Sequence, residues 1–179
     1  MIKEDKISIV INGRYEKKTK FFALKARKIF PKTQIILSSY KEALLDKKIY
    51  KKNNIKLLIN KDAGDYLEFP DNPKNLFRMM TTFYNGLKIS KNSIVLRLRT
   101  DYSLNKTFKK VLKNLVIKKN KITYSGKIIY LDNIYSTDTA YFDFDNFHFS
   151  DQVIIGSKKQ LTKMYYVNKK NFLKKKDFS

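Results

Sequence analysis

Apolar positions along this chain fall into two rhythms: short β-branched bursts, and longer stretches with helical spacing. Lys6–Asn12 (KISIVIN) reads as a strand. Glu16–Phe30 follows with apolar residues at Phe21, Phe22, Leu24, Ala26 and Ile29, a helix stopped by Pro31. Gln34–Ser38 is a second strand, Glu42–Ile49 a short helix and Ile55–Ile59 a third strand. Asn60–Pro73 is polar, contains Gly64, Pro70 and the Asp71-Asn72 pair, and is expected to be a loop. Pro73 then opens the clearest helix. In it Leu76, Met79, Met80, Phe83, Tyr84 and Leu87 form a stripe through Ile89 whose plain reading is core packing. A strand that ends at Asp101 comes next, and then a helix from about Leu104 to Val116.

Strands alternating with helices predict one α/β domain, a mostly parallel sheet covered on both faces. Past Lys118 the pattern loosens. Lys121–Leu131 reads as a strand or hairpin arm, and Asp138–Phe149 is aromatic, acidic and irregular. Gln152–Ile155 is a short strand ending at Gly156, and a last helix runs from about Lys158 to Phe172, with a lysine-rich tail from about residue 168. No internal repeat or linker interrupts the 179 residues, a length that suits one domain with a real core.

Composition narrows the partners. The formal charge is +23, yet arginine supplies only five of the 39 basic residues. Abundant lysine beside isoleucine, asparagine and tyrosine is what an AT-rich genome produces without selection for binding. A nucleic-acid reader would concentrate arginine, whose fork pairs bidentately with phosphate and guanine, so nucleic acid is not the expected main partner. An anionic membrane surface suits the lysines better. Cysteine is absent, which removes disulfides, zinc-thiolate sites and cysteine nucleophiles and accords with a reducing cytoplasm. The first residues are charged where a signal peptide needs an apolar core, and no run approaches eighteen apolar residues. The expectation is a cytoplasmic protein, soluble or peripheral on the membrane.

Candidate chemistry gathers at strand ends. Asp101 closes the strand-like run Ile94–Asp101, the place where open α/β sheets put ligands. It suits a divalent cation that offsets diphosphate charge, or equally a turn or helix cap helped by Ser103. Arg97 and Arg99 are two apart, hence on one strand face, and need carboxylates or phosphate as partners. Asn12-Gly13-Arg14 after the first strand would let backbone approach a nucleotide. The lone histidine, His148, stands three residues before Asp151; together they suit a metal or a general base, whereas a lone histidine is more often structural. Asp143 and Asp145 alternate with phenylalanines and read as an exposed edge. With no Gly-x-Gly-x-x-Gly, Walker lysine loop or serine elbow, dinucleotide oxidoreductases, P-loop NTPases and α/β hydrolases drop out.

Several segments occur together in a familiar order. They are Ile7–Gly13, Phe30–Lys41, Asn60–Gly64, then Asn75–Arg78 with Asn85–Leu87 running into Leu96–Asp101, and last His148–Asp151 with Gly156. In that order they resemble the WavE-type lipopolysaccharide-synthesis proteins, glycosyltransferases with a GT-A-like fold. Asn12 and Arg14 stand where the family usually has glutamine and proline, Phe77 and Met79 where polar residues are usual, and Gln152 where an aromatic is common.

The resemblance implies a nucleotide-sugar donor and a lipopolysaccharide or capsule glycan acceptor. It implies a donor site of Asn12, Gly13, Asp62, Asn75, Arg78, Arg97, Arg99 and Asp101. Asp101, with His148, would hold Mg or Mn in place of the Asp-x-Asp pair of such enzymes, and Asp151 would be the base. Typical members continue further, so part of an acceptor region is expected to be missing. The alternatives are a non-catalytic relative of such an enzyme and a basic nucleic-acid-binding module.

Overall fold

In a computed structural model the described residues are 3–62, 73–106, 108–110, 116–118, 121–123, 134–136 and 153–166, with backbone alone for 73–76, 116–118, 121–123 and 134–136. Six strands form one sheet: β1 (Ile7–Asn12), β2 (Gln34–Ser39), β3 (Ile55–Ile59), β4 (Ile94–Arg99), β7 (Ile134–Ser136) and β8 (Val153–Ser157). Their order is β3-β2-β1-β4-β8-β7. The first four are mutually parallel, and β8 runs antiparallel to both its neighbours. β5 (Val116–Lys118) and β6 (Lys121–Thr123) pair separately as an antiparallel hairpin.

Every residue of β1 is buried because this strand has a partner on each side and helices above and below. Alternate residues divide between two cores. Ile7, Ile9 and Ile11 join Ile35, Leu37, Leu96 and Leu98 on the face covered by α1 (Lys17–Ile29), which contributes Ala23, Ala26 and Ile29. Val10, Ile36, Val95 and Ile154 point the other way, toward Phe83 and Leu87 of α3 (Pro73–Ile89) and Leu161 of α4 (Lys158–Met164). The mostly parallel, doubly covered sheet expected from the pattern is therefore the observed one.

Local chemistry sets the element ends. The Glu16 backbone N–H donates to Thr19 Oγ1 at 2.9 Å at the start of α1, and Gln160 N–H donates to Ser157 Oγ at 3.2 Å at the start of α4. Arg27 fans its guanidinium over the carbonyls of Phe30, Pro31, Thr33, Asn53 and Asn54, tying the end of α1 to the turn after α2 (Lys47–Lys52). Asn54 turns that corner with φ 52°.

Four boundaries differ from the pattern. The helix expected over Glu42–Ile49 is a 3-10 turn, Lys41–Asp46, followed by α2. Val116 begins a strand instead of ending a helix, its β-branched neighbour Ile117 pairing with Ile122. The last helix stops at Met164, because Tyr165 folds its ring inward against Phe83, centroids 4.6 Å apart. In β8, Gly156 is not a terminus but a paired position, opposite Val95 on one side and Ile134 on the other.

At Gly86, α3 lies close against the sheet. A Cβ there would lie 2.4 Å from Val10 Cγ1. The stiff Val10 side chain cannot yield easily inside the sheet. Gly86→Ala should therefore cost about 1–3 kcal/mol in urea unfolding, outweighing the ~1 kcal/mol that alanine ordinarily adds to a helix. A more stable variant would show that α3 slides freely.

Beneath α1, the Tyr15 hydroxyl donates to the Asp46 carboxylate and Tyr50 donates to Tyr15 at 3.2 Å. That bond, against the cost of burial and with help from Lys20, lowers the Asp46 pKa. Burial first, then the Asp46 carboxylate, raises that of Tyr15 with Tyr50 partly opposing, and burial first, then Tyr15, raises that of Tyr50. A lowered carboxylate stabilises above its unfolded pKa and loses that as pH falls; a raised phenol stabilises below its unfolded pKa and loses that as pH climbs through the folded value. Stability should decline below about pH 4 and above about pH 10, and Tyr50→Phe should flatten the alkaline limb in thermal melts.

Candidate functional site

The four parallel strands end on the same edge, and the loops leaving them enclose a cleft of about 830 Å³. Each strand supplies its terminal residues: Asn12, Gly13, Arg14 and Glu16 beyond β1, Tyr40, Lys41 and Glu42 beyond β2, Asn60 and Asp62 beyond β3, and Arg99, Thr100 and Asp101 from β4. Arg78 and Met79 of α3 complete the wall.

Hydrogen bonds between neighbouring strand ends make the floor rigid. Asn12 is fully buried; its Nδ2 donates to the Met79 carbonyl at 3.0 Å and to Thr82 Oγ1 at 3.2 Å. Ser39 Oγ donates to the Gly13 carbonyl at 2.8 Å, and Thr100 Oγ1 to the Arg14 carbonyl at 2.6 Å. Asn60 Nδ2 reaches Ser38 Oγ and the Ser39 carbonyl, while Asn85 Nδ2 donates to Asn60 Oδ1 at 2.8 Å. Gly13 sits at φ 134°, and a Cβ there would meet Thr100 Oγ1 at 2.9 Å. Both facts demand glycine where β1 and β4 close on each other.

Two arginine–aspartate forks stand at opposite ends of the cleft. Arg78 Nε and Nη2 donate to the two Asp62 oxygens at 2.6 and 2.7 Å beside β3. Arg99 does the same to Asp101 at 2.9 and 2.6 Å beyond β4. Each is a half-open, bidentate pair of the geometry that also receives phosphate. The cleft is lined by four basic and four acidic side chains, so the chain's large positive charge is not concentrated here.

Tyr40 is the unexpected member. It is buried, and among the described residues its hydroxyl has no hydrogen-bond partner. Burial first, then the Asp62 carboxylate, push its ionisation well above the ordinary tyrosine range, with Arg78 partly opposing.

Of the residues expected at the site, the structure brings together Asn12, Gly13, Asp62, Arg78, Arg99 and Asp101. Arg97 does not reach the cleft. It shares its strand face with Arg99 as expected but is fully buried, Nε donating to Asn12 Oδ1 at 3.0 Å, its guanidinium 5.5 Å from the ring centres of both Phe83 and Tyr165. Asn75 belongs to the first turn of α3, but its side chain lies outside the described residues, as do His148 and Asp151 altogether. Tyr40, Asn60 and Thr100 were not foreseen, although each directly follows a strand end and that position was the signal.

The described residues do not by themselves make a divalent-cation site. Both Asp101 oxygens are taken by Arg99, and no group of three or more histidine, aspartate or glutamate side chains converges among them. Nor, among them, is any helix long and apolar enough to cross a membrane.

A family model described as WavE lipopolysaccharide synthesis matches residues 7–179. Among curated proteins, none matches the chain by sequence. Solved structures similar to it include a cytidylyltransferase from Leptospira borgpetersenii serovar Hardjo-bovis, at 14% identity and TM-score 0.53, covering 89% of this chain and 63% of that one. Another is the 4-diphosphocytidyl-2C-methyl-D-erythritol synthase of Anaerococcus prevotii, at 16% and 0.51, covering 94% and 75%. A third is the galactosyltransferase LgtC, solved with donor and acceptor sugar analogs, at 13% and 0.56, covering 87% and 59%. These likenesses show the fold, a GT-A-like sheet, of which the chain spans 63% of the first neighbour's length.

Replacing Tyr40 by phenylalanine removes an unpaired buried hydroxyl and keeps the ring. Tyr40→Phe should therefore gain about 1 kcal/mol in urea unfolding. A loss would mean the hydroxyl is satisfied in solution.

Proposed function

The chain belongs to the WavE lipopolysaccharide synthesis family, and on that premise we propose that it transfers a sugar from a nucleotide-sugar donor to a surface glycan, lipopolysaccharide or capsule. The observation that carries this reading is the pair of arginine forks in one cleft at the carboxyl edge of a parallel sheet. β3 and β4 are three strand spacings apart, about 14 Å, which matches a nucleoside diphosphate lying across the strand ends.

In this reading Asn12 and Gly13 form the floor against which the donor rests. Arg99 and Arg78 exchange carboxylate for phosphate oxygens, neutralising the diphosphate as it becomes the leaving group. Asp101 and Asp62, released by that exchange, stay beside the ligand to receive sugar or ribose hydroxyls. Asp151 is the proposed base that takes the acceptor hydroxyl's proton, His148 its neighbour, and Asn75 a further donor contact. Mg or Mn would require Asp101 to leave Arg99 and ligands beyond the described residues, so no step is assigned to a metal. The place of action is the cytoplasmic face of the membrane, where lipid-linked acceptors are built.

The test is a thermal-shift screen of nucleoside diphosphates and nucleotide-sugars, with and without Mn, on wild type and Arg99→Ala. A ligand at a hundred times its dissociation constant should stabilise wild type by about 2.7 kcal/mol. The shift should shrink sharply in Arg99→Ala. A cooperatively melting wild type that responds to no nucleotide would overturn the proposal.

A further inference from the structure

The 3-10 turn Lys41–Asp46 between β2 and α2 exposes what a turn usually hides. Only Ala43 packs inward; Leu45 is 86% exposed and Leu44 43% exposed. The turn is not a frayed end. Asp46 is gripped by the Tyr15 hydroxyl and by Lys20 Nζ at 3.0 Å, and Tyr50 of the following α2 is fully buried. Lys41, Lys47, Lys48, Lys51 and Lys52 are all exposed around the leucines, and the only acids in residues 41–52 are Glu42 and the already engaged Asp46. Lys41 and Glu42 also line the cleft, so the leucines stand beside its mouth.

A single exposed leucine needs no explanation. Two in succession, on an anchored turn ringed by five lysines, combine the two features that hold a protein to a membrane surface. Leucine partitions into acyl chains, and lysine extends its stem along apolar surface while its ammonium meets anionic headgroups. A nucleic acid would use the lysines but gain nothing from the leucines.

We infer that the Lys41–Lys52 turn and helix dock this protein on an anionic lipid bilayer, Leu44 and Leu45 entering the acyl boundary and the lysines resting on headgroups. The cleft mouth would then face a membrane-held acceptor, an orientation that rests on the transferase reading, whereas the attachment itself does not.

The test is co-sedimentation of the full chain with phosphatidylcholine vesicles, with and without phosphatidylglycerol, at fixed salt. Wild type should bind the phosphatidylglycerol vesicles. Leu44→Ser with Leu45→Ser alters no charge and should weaken binding about ten-fold. Lys47→Glu with Lys48→Glu should weaken it at least as much. Lys159→Glu with Lys163→Glu makes the same charge change on α4, which packs on the opposite sheet face, and should weaken it far less. Thermal melts confirm that each variant is folded, and the changed side chains are exposed.

Wild-type levels of binding by the leucine variant, equal losses from the two charge reversals, or no binding by wild type would each overturn the inference. So would capture of short duplex DNA in preference to vesicles. The nucleotide screen is run without vesicles, so its failure strikes the transferase reading and leaves the vesicle result standing.

Discussion

Burying a guanidinium is the constraint around which this structure is arranged. Arg97 has no exposed surface and lies on the central strand β4, between β1 and β8. A charge taken out of water must be met by partners, or it costs several kcal/mol. Asn12 meets it from β1 through Oδ1, and the rings of Phe83 and Tyr165 close over it from α3 and the end of α4. Asn12 in turn spends its amide hydrogens on Met79 and Thr82 of α3. One buried charge thus ties two strands and two helices together, and fixes the residue that forms the floor of the cleft.

That arrangement separates the two kinds of positive charge in the chain. Lysine, a strongly hydrated ammonium on a long flexible stem, stays at the surface among the described residues. Four of the five arginines sit where a planar fork has fixed partners. Arg27 gathers carbonyls at the end of two helices, Arg97 is enclosed, and Arg14, Arg78 and Arg99 line the cleft. The net charge therefore says much about the outer surface and little about the cleft, where acidic and basic groups balance.

The forks also balance charge inside the cleft. Asp62 and Asp101 each offer two oxygens to a guanidinium, the spacing that in the proposed reading a phosphate would share. Half-open pairs of this kind contribute little net stability, so exchanging one oxyanion for another costs little. The rigid floor below them, held by Ser39, Asn60, Thr100 and Gly13, is what keeps the two arginines at fixed separation.

Much of the fold was legible in the residues themselves. The bursts at Ile7–Asn12, Gln34–Ser39, Ile55–Ile59 and Ile94–Arg99 alternate with helical stripes, and a strand buried on both faces must be apolar throughout. Strand ends then pointed to Asn12, Gly13, Arg99 and Asp101, since ligands in such sheets collect at that edge. What the residues alone left open was the partner of each charge. Spacing put Arg97 and Arg99 on one face, but only packing decided that the first lies under α3 and α4 and the second opens into the cleft. The same holds for Tyr40, buried in the wall with Asp62 and Arg78 acting on its hydroxyl, and for Tyr165, whose ring packs against Phe83 just past the end of its helix. Periodicity is a property of neighbours along the chain, whereas burial of a charge or a ring depends on elements dozens of residues away, and only the assembled sheet and helices bring those together.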